Sequence, residues 1–434
     1  MSTPADRLAA LIRIPTVSDA AVRDEAAFSA FRDLLAALYP LVHERLEREV
    51  VGGGALHLVW RGGDARSIVL MAHHDVVPAT DQRWERDPFS GEIAADGVLH
   101  GRGALDDKGP LVAILEAIEG LLADGFAPAG DVHVVSGHDE EVRGSGARAI
   151  AELLAARGVR PSLVLDEGGA VVEGMVPGVR GPLAMIGLTE RGSAEVRLTA
   201  RSSGGHAAVP PRRQATIRLA TALTRIERHP FPARGNPAIV AMTAALGPRL
   251  PAPVAAVLRL RASAPAVAQL LAALGGVSGA LVRTTVAVTR LRAGEAANVL
   301  AAEATAELNI RIAPGGSVPG VLDRLRRVVR DPSIEIELLG GDEPSPHSRS
   351  AGPVWDRVAT AVRAAYPDAL PVPYVMVQAS DARHYTGLGA EVYRFMPFAI
   401  TADELAAIHG ADERVSIRAL DAAIVFHRNL ISGH

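Results

Sequence analysis

The 434-residue sequence contains no cysteine, which excludes disulfide bonds, thiolate metal ligands and cysteine nucleophiles. No apolar run approaches the roughly 20 residues that a membrane-spanning helix requires. The formal net charge of −4 and the absence of a basic stripe argue against a nucleic-acid-binding protein. The first residues lack the basic region and apolar stretch of a secretory signal. We therefore expect a cytoplasmic protein that binds neither nucleic acid nor membranes.

The chain is too long for one ordinary hydrophobic core, so two domains are expected. Apolar, β-branched runs at 67–72, 132–135 and 163–165 indicate buried parallel strands, and helical patterns at 110–123 and 147–156 alternate with them. Strands that alternate with helices predict an α/β domain with a mostly parallel sheet. The same pattern returns from residue 354 to the last helix at 417–431.

Between these two parts the pattern is different. Residues 193–200 alternate strictly between apolar and polar side chains, which indicates a half-exposed strand. A helix near 214–227, strands at 284–288 and 303–312, a helix at 318–330 and a strand at 334–339 follow. This β-α-β-β-α-β order is the split βαβ, ferredoxin-like arrangement. We therefore predict that an α/β domain formed by residues 1–188 and 342–434 is interrupted by an inserted α+β domain at 189–341. Extra helices are expected in the Ala-, Pro- and Leu-rich segment 231–280 of that domain.

Five short segments carry metal-ligand types of side chain where strands give way to loops or to Gly-rich turns. They contain His73 with Asp75, Asp106 with Asp107, Glu140 with Glu141, Asp166, and His409. Open α/β sheets bind their ligands at the carboxyl ends of the strands, where most of these residues are expected. Two imidazoles together with several carboxylates are typical of a two-metal hydrolytic site.

The first two segments each allow a structural alternative. In His73-x-Asp75 both side chains face the same side of a strand, so the imidazole can bind a metal while the carboxylate fixes its tautomer. A buried structural His–Asp pair is the alternative. Asp106 and Asp107 follow a Gly-x-Gly turn and precede a helix. One carboxylate could bridge two cations while the other caps the helix, although such a pair is often only a helix start.

The acidic pair Glu140–Glu141 is more informative. Consecutive residues at the end of a strand point in different directions, so one can bind a metal while the other accepts a proton from the attacking water. Of Asp166 and Glu167 we favour Asp166 as the ligand, because it continues directly from an apolar strand. His409 lies in a loop before the last helix and would be the second imidazole, although an isolated histidine is more often structural.

Several segments together resemble a known family of di-zinc metallopeptidases, which includes aminoacylase-1, glutamate carboxypeptidases and carboxypeptidase S. The segments are SIVLMAHHDVVP, HGRGALDDKG, GHDEEVRGSGA, VLDEGG, SGGHAAVPP and AAIHGADERVS. The resemblance is strongest to the branch of carboxypeptidase S and the N-acyl-amino-acid hydrolases. It extends from IPTVS near the start of the chain to the last helix.

The resemblance implies a role for each matching residue of the α/β domain. His73 and Asp166 would bind one zinc ion, Glu141 and His409 the other, and Asp106 would bridge both. Glu140 would be the general base and Asp75 would orient His73. The resemblance also implies a cis peptide bond between Asp106 and Asp107.

In the inserted domain, which would act as a lid, the resemblance implies that His206 polarises the scissile carbonyl and that Asn298 and Arg311 contact substrate. The expected function is metal-dependent hydrolysis of an amide bond next to a free carboxylate, in an N-acyl amino acid or a small peptide. The expected cofactors are two Zn²⁺ ions per subunit, replaceable by Co²⁺ or Mn²⁺, and the lid could form a homodimer. A dipeptidase or desuccinylase with the same site, or a catalytically silent metal-binding relative, are the alternatives.

Overall fold

The computed structural model of the protein describes residues 2–19, 24–142, 144–176, 178–258 and 263–433. Within these residues the α/β domain contains eleven strands. They are β1 (Glu47–Val51), β2 (Ala55–Trp60), β3 (Ala65–His73), β4 (Glu92–Ile93), β5 (Val98–His100), β6 (Gly130–Gly137), β7 (Leu163–Val172), β8 (Leu183–Glu190), and, after the inserted domain, β15 (Leu370–Met376), β16 (Glu391–Ile400) and β17 (Arg414–Ser416).

Eight of these strands form the central sheet, in the order β1-β2-β6-β3-β7-β16-β8-β15. The pairs β3–β6, β3–β7, β7–β16 and β8–β15 are parallel, which confirms the predicted mostly parallel α/β sheet. In the β3–β6 pair, His73 lies opposite Gly137. The register therefore brings the carboxyl end of β3 beside the acidic segment that follows β6. The strands β17, β5 and β4 form a separate small sheet in that order.

Helices cover the central sheet, and its inner strands are therefore buried on both faces. They are α1 (Pro4–Ile12), α2 (Glu25–Leu38), α3 (Pro40–Arg45), α4 (Lys108–Ala123), α5 (Ser145–Ala156), α12 (Pro353–Ala365), α13 (Ala402–Ala407) and α14 (Ile417–Ser432), with a 3₁₀ helix at Asp381–Leu388. Helix α4 is apolar on almost all sides, and it packs between α1, α14 and the sheet. Its amino end is thereby fixed directly after the Asp106–Asp107 pair.

The inserted domain has the predicted β-α-β-β-α-β order. Its elements are β9 (Gly192–Arg201), β10 (Gly205–His206), α6 (Ala215–Arg228), β11 (Thr285–Ala293), β12 (Val299–Leu300), β13 (Glu303–Ile312), α11 (Val318–Val329) and β14 (Glu335–Asp342). The segment between α6 and β11 contains α7 (Pro237–Leu246), α8 (Ala252–Leu258), α9 (Ala264–Leu274) and α10 (Gly276–Ala280). Four strands form an antiparallel sheet in the order β11-β13-β9-β14, and β10 pairs with β12. Helices α6 and α11 cover one face of the sheet and enclose a separate hydrophobic core.

Within the described residues the extra segment 231–280 contains the expected helices, from α7 to α10, and its part at 259–262 lies outside those residues. Helix α7 packs against β15, and its Ala238 and Ile239 are buried in the core of the α/β domain. The segment therefore touches the central sheet, while its assignment to the inserted domain stays a prediction. None of the described helices is both long and apolar enough to cross a membrane.

Candidate active site

The candidate site is centred on the carboxylate of Asp106, which lies between two imidazoles. Its Oδ1 is 2.9 Å from Nε2 of His73, and its Oδ2 is 3.0 Å from Nε2 of His409. Each oxygen of one carboxylate thus meets a different histidine. This is the arrangement expected of a carboxylate that bridges two cations.

Contacts at the end of β3 fix the orientation of His73 in this arrangement. Nδ1 of His73 lies 3.0 Å from the backbone oxygen of Asp75 and 3.3 Å from its Oδ1, so Nε2 faces Asp106. Asp107 was expected to cap α4, but it makes no capping hydrogen bond. Its Oδ2 instead accepts the backbone N–H of His73 at 3.1 Å. The peptide bond between Asp106 and Asp107 is cis, as the resemblance implied.

The acidic pair after β6 is also held by Asp75. The backbone N–H groups of Glu140 and Glu141 each donate to one oxygen of the Asp75 carboxylate at 3.2 Å. Oε2 of Glu141 lies 3.1 Å from Nε2 of His409. Glu140 belongs to neither group of potential ligands, although it lines the same cleft. The two glutamates therefore occupy different positions, with Glu141 among the ligands and Glu140 beside them.

The structure differs from the sequence prediction at Asp166. Asp106, Glu141 and His409 form one group of potential ligands, and His73, Asp106 and Glu167 form a second, with ligand atoms within 4.8 Å of one another in each. Asp166 is in neither group, and its Oδ2 accepts the backbone N–H of Ala382 at 2.7 Å.

The cause of this difference is an irregularity inside β7. The strand was predicted to end at residue 165, but it continues to Val172, and its pairing with β16 jumps from Asp166 to Gly169. Such a bulge re-aims side chains, and here it turns Glu167 toward His73. Asp166 still borders a small buried space together with His73 and Glu140. Asp166 as a ligand stays a prediction, with Glu167 as its competitor.

The side chains surround an open cleft of about 240 Å³. Its polar lining comes from Asp106, Glu140, Glu141, Glu167, Gln378 and His409. Its apolar lining comes from Leu105, Met376, Met396, Leu405 and Ile408. The cleft lining therefore combines acidic and apolar side chains.

The electrostatics of the cleft reflect crowded carboxylates. Burial and the neighbouring Asp381 carboxylate raise the pKa of Glu140 well above its usual value. Burial and the nearby Asp106 do the same to the pKa of Glu167. Hydrogen bonds to Asp106 and Glu141 raise the pKa of His409 to about 10. A cation at the cluster would relieve the repulsion between these carboxylates.

The residues present fit a pair of divalent metal ions. Two imidazoles and several carboxylates form the donor set, and both groups of potential ligands share Asp106. Oε1 of Glu141 is buried and has no hydrogen-bond partner among the described residues. Such an oxygen is costly to bury unless it binds a proton or a metal. Zinc suits this mixture of nitrogen and oxygen ligands.

The structure does not bring the three predicted lid residues into the cleft. His206 and Asn298 lie together at one end of the lid sheet, where β10 pairs with β12 and the backbone N–H of Ala207 donates to the Asn298 carbonyl oxygen at 3.0 Å. His206 is exposed. Arg311 lies near the other end of β13, opposite Ser193, where the lid joins the α/β domain.

Sequence reasoning missed three buried residues at the site. Asp381 borders the same small space as Glu140, and burial raises the pKa of its carboxyl to about 8. Arg102 and Glu413 form a buried ion pair of 2.8 Å beneath the loop that carries Asp106. Glu413 follows His409 by four residues, so proximity to a candidate ligand was the available signal.

Comparison with known proteins identifies relatives along almost the whole chain. The sequence model of the family described as Peptidase family M20/M25/M40 matches residues 69–433. The chain is 35% identical over 438 residues to the N-fatty-acyl-amino acid synthase/hydrolase PM20D1 of Xenopus tropicalis, covering 98% of this chain and 85% of that protein. It is 32% identical over 439 residues to the probable carboxypeptidase S-like 2 of Dictyostelium discoideum, covering 98% of this chain and 84% of that protein.

The fold is also similar to that of solved structures. The crystal structure of an M20 family metallo-carboxypeptidase from Sulfolobus solfataricus superimposes with a TM-score of 0.74 and covers 100% of this chain and 99% of that one. The sequence identity is 16%, so this similarity bears on the fold alone.

Proposed function

This chain belongs to peptidase family M20/M25/M40 and is a metal-dependent hydrolase, and from that premise we propose that it cleaves N-acyl amino acids at the amide bond next to a free carboxylate. The family resemblance that the motifs carried is thereby confirmed. The observation that carries the proposal is the Asp106 carboxylate, whose two oxygens lie 2.9 and 3.0 Å from two different imidazoles.

The proposed cofactors are two Zn²⁺ ions, held by His73, Asp106, Glu141 and His409 and by either Asp166 or Glu167. Bound there, the ions would supply Lewis acidity toward the scissile carbonyl and lower the pKa of the attacking water.

The general base of the proposed reaction is Glu140. Its carboxyl lines the cleft beside the ligands, and its raised pKa suits a group that takes a proton from water and returns it to the leaving amine. Asp75 supports both halves of the site. Its side chain holds the backbone of Glu140 and Glu141, and it contacts the imidazole of His73.

The apolar residues that line the cleft favour binding of an apolar acyl group over a charged one. Five apolar side chains line it, so each methylene buried there contributes about 0.8 kcal/mol, or roughly fourfold in binding. One relative supports this choice by name, because it is an N-fatty-acyl-amino acid synthase/hydrolase, whereas the name of the carboxypeptidase S-like relative supports only cleavage next to a free carboxylate. A dipeptidase would instead need a polar group to bind the free amine.

We assign recognition of the substrate carboxylate to Arg311, at the end of the lid nearest the α/β domain. His206 and Asn298 would act at the carbonyl, but they lie near the opposite end of β13. The eight residue-to-residue steps from Glu303 to Arg311 span roughly 27 Å at about 3.4 Å each. That span exceeds a small substrate, so His206 and Arg311 of one lid cannot both contact it in the described conformation. A homodimer in which a partner's lid supplies His206 fits this separation. The alternative is closure of one lid, which brings either His206 or Arg311 to the substrate but not both, because it leaves the distance between them unchanged.

A hydrolysis screen tests the proposal. Zinc-loaded protein is assayed with acetyl, octanoyl and oleoyl amides of one apolar amino acid, with their carboxylate-amidated forms, and with dipeptides. We expect rates to rise with the acyl chain. Amidation should lower kcat/KM by about 10- to 150-fold, which corresponds to losing a charge-assisted contact of about 1.5–3 kcal/mol. Equal cleavage of free and amidated substrates, or preference for dipeptides, would contradict this substrate class. The proposed cytoplasmic location is tested separately by cell fractionation.

A further inference from the structure

A buried carboxylate, Glu413, binds the loop that carries the bridging Asp106. Its side chain is 0% exposed. Its Oε1 accepts three backbone N–H groups of this loop, from Gly103 at 3.1 Å, Leu105 at 2.8 Å and Asp106 at 3.0 Å. The backbone oxygen of Glu413 accepts a fourth, from Gly101 at 2.9 Å. The position of Asp106 therefore depends directly on Glu413.

Arg102 connects Glu413 to the loop that carries His409. Nη1 of Arg102 donates to Oε2 of Glu413 at 2.8 Å, and its Nη2 donates to the backbone oxygen of Gly410 at 3.0 Å. The same Nη2 donates to Oε1 of Gln82 at 2.9 Å, and Nε2 of Gln82 donates to the backbone oxygen of His409 at 2.6 Å. The guanidinium thus holds the backbone oxygen of Gly410 directly and the backbone oxygen of His409 through Gln82.

The backbone of this loop needs such support. His409 and Asp412 have φ angles of 60° and 59°, in the left-handed region that non-glycine residues rarely occupy. Conformations of this kind persist where the surrounding contacts enforce them. The side chain of His409 is itself 53% exposed, so packing alone does not fix it.

The geometry points to Glu413 and Arg102 as positioning residues that set the distance between Asp106 and His409, and so tune one of the two metal positions selectively. This inference rests on the proposed two-metal centre. The affected position is the one between Asp106, Glu141 and His409, because both loops meet there. The other position shares Asp106 but not His409, and Asp75 and Asp107 hold its His73, so we expect it to be affected less.

Conservative substitutions disturb the network without removing a ligand. In Glu413→Gln an NH₂ group replaces one carboxylate oxygen and cannot accept a hydrogen bond. Either Arg102 or the loop N–H groups therefore lose their acceptor. In Arg102→Lys the charge remains, but one ammonium group cannot replace the planar fork that reaches Glu413 and Gly410. Loss of such an outer contact typically lowers metal affinity by about 10- to 100-fold.

The test is zinc binding by the full-length protein, titrated in competition with a chromophoric chelator, with thermal stability measured in parallel. The wild type should bind two equivalents. Glu413→Gln and Arg102→Lys should lower the affinity for one equivalent by about 10- to 100-fold and lower the affinity for the other, which shares only Asp106 with it, clearly less. Glu413→Gln added to Glu141→Gln should cause little further loss, because both act on the same position. If Glu413→Gln does not fold, Gln82→Ala should still weaken the same equivalent to a smaller extent.

The matched control is Glu116→Gln. Glu116 accepts from Arg7 and from the Tyr39 hydroxyl, both at 3.1 Å, and contacts neither metal loop. It should lower thermal stability while leaving both zinc affinities unchanged. Unchanged affinities in folded Glu413→Gln, or an equal fall in both, would overturn the positioning role while leaving the metal centre intact. Fewer than two equivalents in the wild type would overturn the proposed metal centre, and this inference with it.

Discussion

Adjacent glutamates provide the sharpest test of the candidate site. Glu140→Gln and Glu141→Gln remove the same charge at neighbouring positions with almost no change in size. Oε2 of Glu141 lies 3.1 Å from His409 among the potential ligands, whereas Glu140 belongs to no ligand group. The hydrogen bonds that Asp75 accepts come from the backbone of both residues, so they survive either substitution. Any difference between the variants therefore reports on the two carboxylates.

The expected magnitudes differ accordingly. A general base contributes about 10²- to 10⁴-fold in rate, so Glu140→Gln should lower kcat by at least 10²-fold, or about 2.7 kcal/mol of barrier. Its zinc content should stay near that of the wild type. Glu141→Gln loses a charged ligand, so it should retain about one zinc equivalent fewer after dialysis.

The assay combines zinc analysis after gel filtration with steady-state kinetics on an N-acyl amino acid. Glu152→Gln, the same substitution at an exposed position of α5, is the matched control and should change neither quantity. Equal zinc loss in Glu140→Gln and Glu141→Gln would show that the two roles are wrongly divided. A Glu140→Gln enzyme that keeps kcat within about threefold of the wild type would refute the general base.

The remaining predictions concern the third carboxylate ligand and the lid. Asp166→Asn and Glu167→Gln should differ in zinc content, and whichever loses an equivalent identifies the ligand; equal retention in both would exclude either residue. His206→Ala should lower kcat by about 10²- to 10³-fold at unchanged zinc content, because a donor to the developing oxyanion acts only in the transition state. Mixing Glu140→Gln with His206→Ala protein should restore activity if a partner's lid completes the site, whereas no recovery would favour closure within one chain.

Local sequence patterns determined the secondary structure and the order of the domains. The alternation at 193–200 and the apolar runs at 67–72 and 132–135 correspond to β9, β3 and β6 within a few residues. These patterns work because burial on one or both faces of a strand dictates its side chains residue by residue. The motifs and the family resemblance that they carry also implied His73, Asp106, Glu141 and His409 as ligands, and the structure brings these four together as potential ligands.

Only the tertiary structure distinguishes the surroundings of the neighbouring carboxylates Asp166 and Glu167. The bulge in β7 arises from its pairing with β16, more than 200 residues later, and it turns Glu167 rather than Asp166 toward His73. Asp166 and Glu167 are adjacent carboxylates in the same short segment, so no local sequence pattern could tell which of them faces His73.

Long-range contacts also decided what supports the site. Arg102 and Glu413 are about 300 residues apart in sequence. In its own segment, each is an ordinary charged residue of a loop. Their role exists only because the fold buries them together beneath Asp106. The separation of His206 from Arg311 likewise follows from the register of β9, β13 and β14 and from where the lid joins the α/β domain. The sequence by itself determined which chemical groups the site contains, because ligand chemistry belongs to residue types. The tertiary structure decided which of those groups meet, because distances between remote segments are set by sheet register and by the burial of charged pairs.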